Sequence, residues 1–315
     1  MSDAAIEEIL RSCPDAGEGV NRWLFKAAGK LHRLKVEPER IKEMLEGATL
    51  NCGRDLKPEE IPRAVQNSAP GAIRSSATTP RWPQRHYEEI EEIGLSGLRL
   101  SGLEKESPAN ITAAANQTDE IIDAMFPGDP LLCAGAAISR ARTMPREQWR
   151  GHLDRQQFIV PSPMSRPKGV TAEGKRSARS LDNTGPRRFL VVEFDFTEVA
   201  HNGNETSAAP TLRRLRESGV EIADLCAALH GHLAEYRPVA LVLHSGGKSL
   251  HGWYPCGGDA EDETMLRFMR YAVSLGADPA TWTRCQFVRM PDGTRDNGKR
   301  QRVLYFNPAV IGGAK

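Results

Sequence analysis

The sequence has no Cys-x-x-Cys pair: its six cysteines, Cys13, Cys52, Cys133, Cys226, Cys256 and Cys285, are scattered. Structural zinc sites usually take two thiolates from such a pair, so no structural zinc is expected, and the scatter suits a reduced, cytoplasmic protein. No apolar run approaches the roughly 20 residues of a membrane-spanning helix, and no signal-peptide pattern is seen, so no membrane partner is expected. Net charge is missing too. Lys and Arg total 42 against 41 for Asp and Glu over 315 residues, which excludes a uniformly basic surface. A nucleic-acid site must then come from local segregation of charge. Such segregation is present between Arg140 and Arg188, where twelve basic residues face four acids, an excess of +8.

The chain changes character along its length. In residues 1–67 the segments "AAIEEILRSC", "GVNRWLFKAAGKLHRL" and "EPERIKEMLEGA" carry apolar residues at helical spacing, with Trp23, Leu24, Ala27, Ala28 and Leu31 as a buried stripe. A further helix starts in "LKPEEIPRAV", with Pro58 suited to its first turn. From Ser68 to Arg85 a Ser, Thr, Pro and Ala-rich stretch without a period reads as a linker, and residues 68–110 as linker and lead-in. Residues 111–315 hold the chemistry. There "LLCAGAA" and "QFIVP" read as strands. After a basic loop come strand "RFLVVEFDF", helix "EIADLCAALHGHLAEY", strand "VALVLH", strand "HGWYP", helix "ETMLRFMRYAVSL", and strands "CQFVRM" and "RVLYFN". The order β-α-β-β-α-β is that of a split-βαβ, ferredoxin-like sheet, making the fold class α+β.

Between two of these strands lies "HSGGKSLHGW", which contains Gly-Lys-Ser. A Walker A loop needs glycine five positions before Gly247, where Val242 stands, and a helix afterwards, where a strand is expected. A Walker ATPase is not expected. The turn can still hold phosphate through Ser245, Lys248 and Ser249 and close backbone approach at Gly246 and Gly247. His251 shares a strand face with Ser249; the alternative is a plain glycine hairpin with a structural histidine. In "RFLVVEFDF", Glu193 and Asp195 share one face, roughly 7 Å apart along the strand, close enough to share a divalent cation or a metal pair. The alternative there is a solvated outer face. In a third segment Asp278 precedes "RMPDGTR", and Arg284 to Arg302 carries six basic residues against two acids, suiting triphosphate or a nucleic-acid backbone.

These three segments, in this order, resemble the archaeo-eukaryotic primase superfamily, particularly plasmid- and phage-type primase-polymerases. The resemblance covers about Leu131 to Pro308 and rests on Glu193-Phe194-Asp195, on "SGGKSLHGW", and on Asp278 followed by "RMPDGTR". It implies an RRM-like catalytic sheet with an accessory α/β unit, preceded by the small helical domain. It implies that Glu193, Asp195 and Asp278 hold two Mg²⁺ or Mn²⁺ ions. Ser245, Lys248, Ser249, His251 and Arg289 would bind an NTP or dNTP, and Lys175, Arg176, Arg179, Arg295 and Lys299 would bind nucleic acid. The partners implied are a single-stranded DNA template and primer, with a replicative helicase as a further candidate. The first motif is Glu-x-Asp where many members have Asp-x-Asp or Asp-x-Glu. The third has Asp292 inserted before its glycine, so the third ligand is Asp278 or Asp292, with Asp278 favoured by motif position.

Two other functions compete. A His-x-His replication-initiator nuclease is suggested by His230 and His232, but on a helix these point about 200° apart and cannot share one metal. A non-catalytic single-strand binder would use Trp253, Tyr254 and Trp282 as stacking surfaces.

Overall fold

A computed structural model of the chain describes residues 3–14, 20–50, 52–53, 55–56, 58–68, 80–111, 117–200, 203–257 and 262–312. The chain divides into two compact units, Met1–Pro80 and Arg81–Lys315. The first is helical: α1 (Asp3–Arg11), α2 (Val20–Arg33), α3 (Pro38–Thr49) and α4 (Glu60–Ser68). Leu24, Ala27, Ala28 and Leu31 of α2 are buried against Ile41 and Leu45 of α3 and Ile61, Ala64 and Val65 of α4. Trp23 sits at the edge of this stripe, its indole N–H donating to Ser12 Oγ at 3.0 Å. Pro58 lies in the turn before α4 and not in its first helical turn.

Most of the expected linker, residues 69–79, lies outside the described residues. The expected lead-in forms helices of the second unit, α5 (Tyr87–Ser96) and α6 (Leu100–Lys105), which place Ile90, Ile93 and Leu103 in its core. The boundary therefore falls near residue 80. There follow α7 (Gln117–Met125), β1 (Leu131–Gly135), β2 (Arg142–Pro145), the short α8 (Arg146–Trp149), β3 (Phe158–Ile159), β4 (Gly169–Val170), β5 (Arg176–Ser177) and β6 (Phe189–Phe194). The chain continues through α9 (Ala209–Glu217), α10 (Ile222–Tyr236), β7 (Leu241–His244), β8 (Leu250–Pro255), α11 (Asp262–Ser274), β9 (Val288–Arg289) and β10 (Val303–Phe306). The class is α+β. No helix among the described residues is long and apolar enough to cross a membrane.

Two four-stranded antiparallel sheets, β2-β1-β3-β9 and β10-β7-β8-β6, and the β4-β5 hairpin make up the β-structure of the described residues. In the second sheet β8 lies between β6 and β7, as a split βαβ requires. The strands after α11 depart from the expected pattern: of "CQFVRM" only Val288–Arg289 is a strand, and it joins the first sheet beside β3. β10 pairs with β7, where a split-βαβ sheet would place it beside the first strand, so the acid-bearing β6 is an edge strand. Its open edge is covered by the segment after α11. Asp278 N–H donates to Glu193 O at 2.9 Å. Arg187 donates to Trp282 O at 2.8 Å, with its guanidinium over the Trp282 ring.

The alternation of β6 sends its residues into two cores. Leu190, Val192, Phe194 and Phe196 pack with Leu225 and Leu229 of α10 and Met265 and Met269 of α11. Phe189 and Val191 pack in the other direction, with Leu132 and Ala134 of β1, Ile159 of β3 and Val288 of β9. Each fully buried side chain of this size contributes about 1.5–3 kcal/mol through the hydrophobic effect. Both faces of the sheet are thus closed by apolar packing, and Glu193 and Asp195 extend the face turned toward the first sheet.

Candidate active site

The apolar row Phe189 and Val191 ends at Glu193 because β6 reaches the rim of the packed zone there. Across the sheet Glu193 is in register with His251 of β8, which is in register with Leu243 of β7. His251 is 2% exposed at its side chain and Glu193 24%. The imidazole Nε2 lies 3.3 Å from Glu193 Oε1 and 3.3 Å from Ser249 Oγ. Burial raises the Glu193 pKa, but the charge and hydrogen bond of His251, the Ser249 hydroxyl and the charge of Arg289 outweigh it and hold the carboxyl at about 2. The carboxylate is therefore ionised across the working pH range. His251 Nδ1 is buried with no hydrogen-bond partner among the described residues.

The loop from β7 to β8 is closed by Ser245 N–H donating to Ser249 O at 3.0 Å. Gly246 has φ +75°, which a side chain would disfavour, and a Cβ there would lie 3.0 Å from Arg295 Cδ and 3.2 Å from Arg300 O. Its N–H donates to His244 Nδ1 at 3.1 Å, so that nitrogen carries no proton. Burial, Arg302, His251 and Lys299 all lower the His244 pKa, which agrees with that neutral state. Lys248 Nζ stands 3.3 Å from Asp195 Oδ1, with both side chains about half exposed. Such an exposed pair contributes at most about 1 kcal/mol; its importance is that Lys248 and Asp195 are side by side.

Of the two candidates for a third carboxylate, Asp278 is the one joined to this end of β6. It is exposed, and its Oδ1 accepts from Ala280 N–H at 2.9 Å, capping the Pro279–Trp282 turn. Asp292 is committed elsewhere. It is buried with φ +60°, both oxygens accept from Arg300 at 2.5 Å, and it lines a separate cavity of about 320 Å³ with Glu104 and Arg302. Among the described residues no three His, Cys, Asp or Glu side chains form a ready metal-holding group.

The cations come from the other side. Arg289 of β9 is fixed by donating to Gln157 Oε1 at 2.7 Å and lies over the Phe158 ring. Burial and Arg295 lower its pKa while Glu193 raises it, which places it within electrostatic reach of both; an arginine stays charged through such shifts. Arg295 lies over the glycine turn, its Nη1 pointing to Ser245 O at 3.5 Å, and the Lys299 Cβ is also beside Gly246. These two residues, expected to bind nucleic acid, therefore join the cluster around the phosphate-type turn. Lys175 and Arg176 are exposed on the β4-β5 hairpin. Arg179 is instead built into the fold: it donates to Cys285 O at 2.7 Å and stacks over Phe287 at 4.2 Å.

Trp253 and Tyr254 are fully buried, and Trp282 packs against Trp82 and Arg187, so the three aromatics form no common stacking surface. His230 is buried against Tyr254, while His232 turns away to Tyr271 Oη at 2.6 Å; they diverge as helical geometry requires. Sequence reasoning missed Gln157, the residue that orients Arg289. A glutamine at the start of a strand carries no signal of that role.

No protein-family model, no curated protein and no solved structure matches this chain.

Proposed function

We propose that the chain is a primase-polymerase, a template-dependent nucleotidyltransferase that joins NTPs or dNTPs into a strand on single-stranded DNA. The observation that carries this reading is the register pairing of Glu193 with His251. It sets the Glu-x-Asp strand beside the Ser-x-His strand, with the Gly-Gly-Lys turn at their shared end. The fold expectation enters as an RRM-like catalytic sheet with β10 displaced to the β7 edge, and β2-β1-β3-β9 as the accessory layer.

Mg²⁺ or Mn²⁺ fits the donor set. Hard oxygen ligands suit these ions; Glu193 is held ionised, and Asp195 already accepts a cation in the form of the Lys248 ammonium. Glu193, Asp195 and Asp278 would hold the ions, which when bound supply Lewis-acid activation of the 3′-hydroxyl and of pyrophosphate departure. The side chains do the rest. Lys248 and Arg295 donate to the triphosphate over the glycine turn, while Arg289 adds positive charge from the facing sheet; the Ser249 hydroxyl, buried, is instead engaged with Glu193 and His251. His251, expected to bind the nucleotide, is buried with its Nε2 toward Glu193 and Ser249, so it enters as a positioning residue that fixes Glu193 from beneath.

The test is incorporation of labelled nucleotides on single-stranded DNA with Mg²⁺ or Mn²⁺, with and without primer. The expected result is template-directed product that Asp195→Ala abolishes. Absence of product from wild type with strand binding intact would move the protein to the non-catalytic binders. Metal-dependent nicking with a covalent tyrosine adduct would move it to the nucleases.

A further inference from the structure

Glu193 and Asp195 share a strand face but are held by partners of opposite kind. Glu193 faces the imidazole of His251, which is 2% exposed and locked in the sheet. Asp195 faces the ammonium of Lys248 at 3.3 Å, with the two side chains 43% and 52% exposed. No other acid lies within 4.0 Å of that ammonium among the described residues. An ammonium on a flexible four-carbon stem is mobile and strongly hydrated, so this second partner is removable.

The glycine turn that carries Lys248 has little else to offer an anion. Gly246 N–H donates to His244 Nδ1 at 3.1 Å and Gly247 N–H to Ser245 Oγ at 3.3 Å, so both glycine amides are already engaged. Positive charge for a triphosphate therefore comes from side chains. These are Lys248 itself and Arg295, whose Nη1 would stand 3.0 Å from a Cβ at Gly247 and whose Nε is buried without a hydrogen-bond partner among the described residues. A triphosphate over the turn and the Asp195 carboxylate thus compete for one ammonium. The charges of the site agree. Glu193, Asp195 and Asp278 stand against Lys248, Arg289 and Arg295, while Arg300 is paired with Asp292 and Arg302 with Glu104. Divalent ions alone would leave such a site strongly positive and a triphosphate alone strongly negative; together they cancel.

We propose that Lys248 is a removable counter-ion at Asp195, through which the site selects a metal–triphosphate complex over either component alone. Without nucleotide the ammonium occupies the carboxylate and disfavours a divalent ion there. A triphosphate over the glycine turn draws it away, and by linkage each ligand raises the affinity of the other by the same factor. This role rests on reading the site as that of a nucleotidyltransferase.

The test is Mn²⁺ binding to the full chain without nucleotide, read from the electron paramagnetic resonance signal of free Mn²⁺. Lys248→Met is expected to bind Mn²⁺ about fivefold more tightly than wild type, the size set by one exposed ion pair. Lys299→Met removes an equal charge beside Gly246 and is expected to change the affinity by less than about twofold, because exposed charges farther off are screened. In an Asp195→Asn background the gain from Lys248→Met is expected to vanish, as a double-mutant cycle requires of a direct pair. A non-hydrolysable triphosphate analogue, after correction for Mn²⁺ held by the analogue alone, is expected to raise the affinity of wild type more than that of Lys248→Met. Unchanged affinity in Lys248→Met, an equal gain in Lys299→Met, a gain that persists with Asp195→Asn, or an equal effect of the analogue on both proteins would overturn the proposal. Absence of Mn²⁺ binding in both wild type and Lys248→Met overturns it together with the metal assignment. An Asp195-dependent gain in a protein that makes no product keeps the counter-ion and removes the polymerase. Template-directed product with unchanged Mn²⁺ affinity in Lys248→Met does the reverse.

Discussion

The two faces of the β10-β7-β8-β6 sheet are built from alternate residues of the same strands and have opposite character. On the helix side Leu190, Val192, Phe194 and Tyr254 pack without interruption, and the one ionisable group of the pair of buried histidines that falls there, His230, is forced neutral: burial drives its pKa down to about 3. On the side facing the first sheet the apolar row stops after Val191, and buried His251 meets the ionised Glu193. Burial alone makes a histidine inert. Burial beside a carboxylate and a hydroxyl makes a polar site, and here that site sits at the end of the strand, where packing gives way to solvent.

The sharpest way to break this comparison is to remove chemistry from one face and packing from the other. Asp195→Ala is expected to lower nucleotide incorporation by about a thousandfold or more, as loss of a metal-holding carboxylate in two-metal transfer does, while the unfolding free energy from urea titration stays within about 1 kcal/mol of wild type because the side chain is exposed. The opposite pattern is expected of Gly252→Ala. Its new Cβ would meet His230 Nδ1 at 2.5 Å and Cε1 at 2.7 Å, on the helix side. Overpacking of this kind costs roughly 1–3 kcal/mol, measured as a lower denaturation midpoint.

A pH series separates the two histidines further. The folded-state pKa of His230 is depressed from 6.5 to about 3, so its contribution is complete above pH 6.5 and is lost as pH falls toward 3, where the unfolded chain binds a proton that the folded chain refuses. Against His230→Gln, wild type is expected to lose about 2 kcal/mol of its relative stability between pH 7 and pH 5, read from paired denaturant titrations. A constant gap across that range would show that His230 is not held neutral. The smallest effect expected is that of Lys248→Ala: about a tenfold rise in the KM for nucleotide, diminishing at high salt, with little change in stability, since its pair with Asp195 is exposed.

Much of the second unit is legible along the chain because period-2 alternation in "RFLVVEFDF" and helical spacing in "ADLCAALHGHLAEY" are local signals, and β6 and α10 stand where those signals put them. The helices α5, α6 and α9 are not legible in the same way. Short segments such as "LSGLEK" gain their helicity from docking onto the core, with Leu103 buried there, and not from an extended amphipathic stripe. The place of β10 beside β7 was not readable either, because strand pairing is decided by which edge is free and not by the strand's own residues.

By itself the sequence determined which residues share a face: Glu193 with Asp195, Ser249 with His251, and His230 away from His232, since strand and helix periods follow from backbone stereochemistry. Only the tertiary structure decided which acids meet which cations. It committed Asp292 to Arg300, left Asp278 at the β6 edge, folded Arg179 into a support for the segment before β9, and left Arg140, Arg142 and Arg155 without acids. The physical reason is range. Periodicity acts over a few residues of chain, whereas the partner of a charge is fixed by which distant segment the packing of two sheets brings within a few ångströms of it.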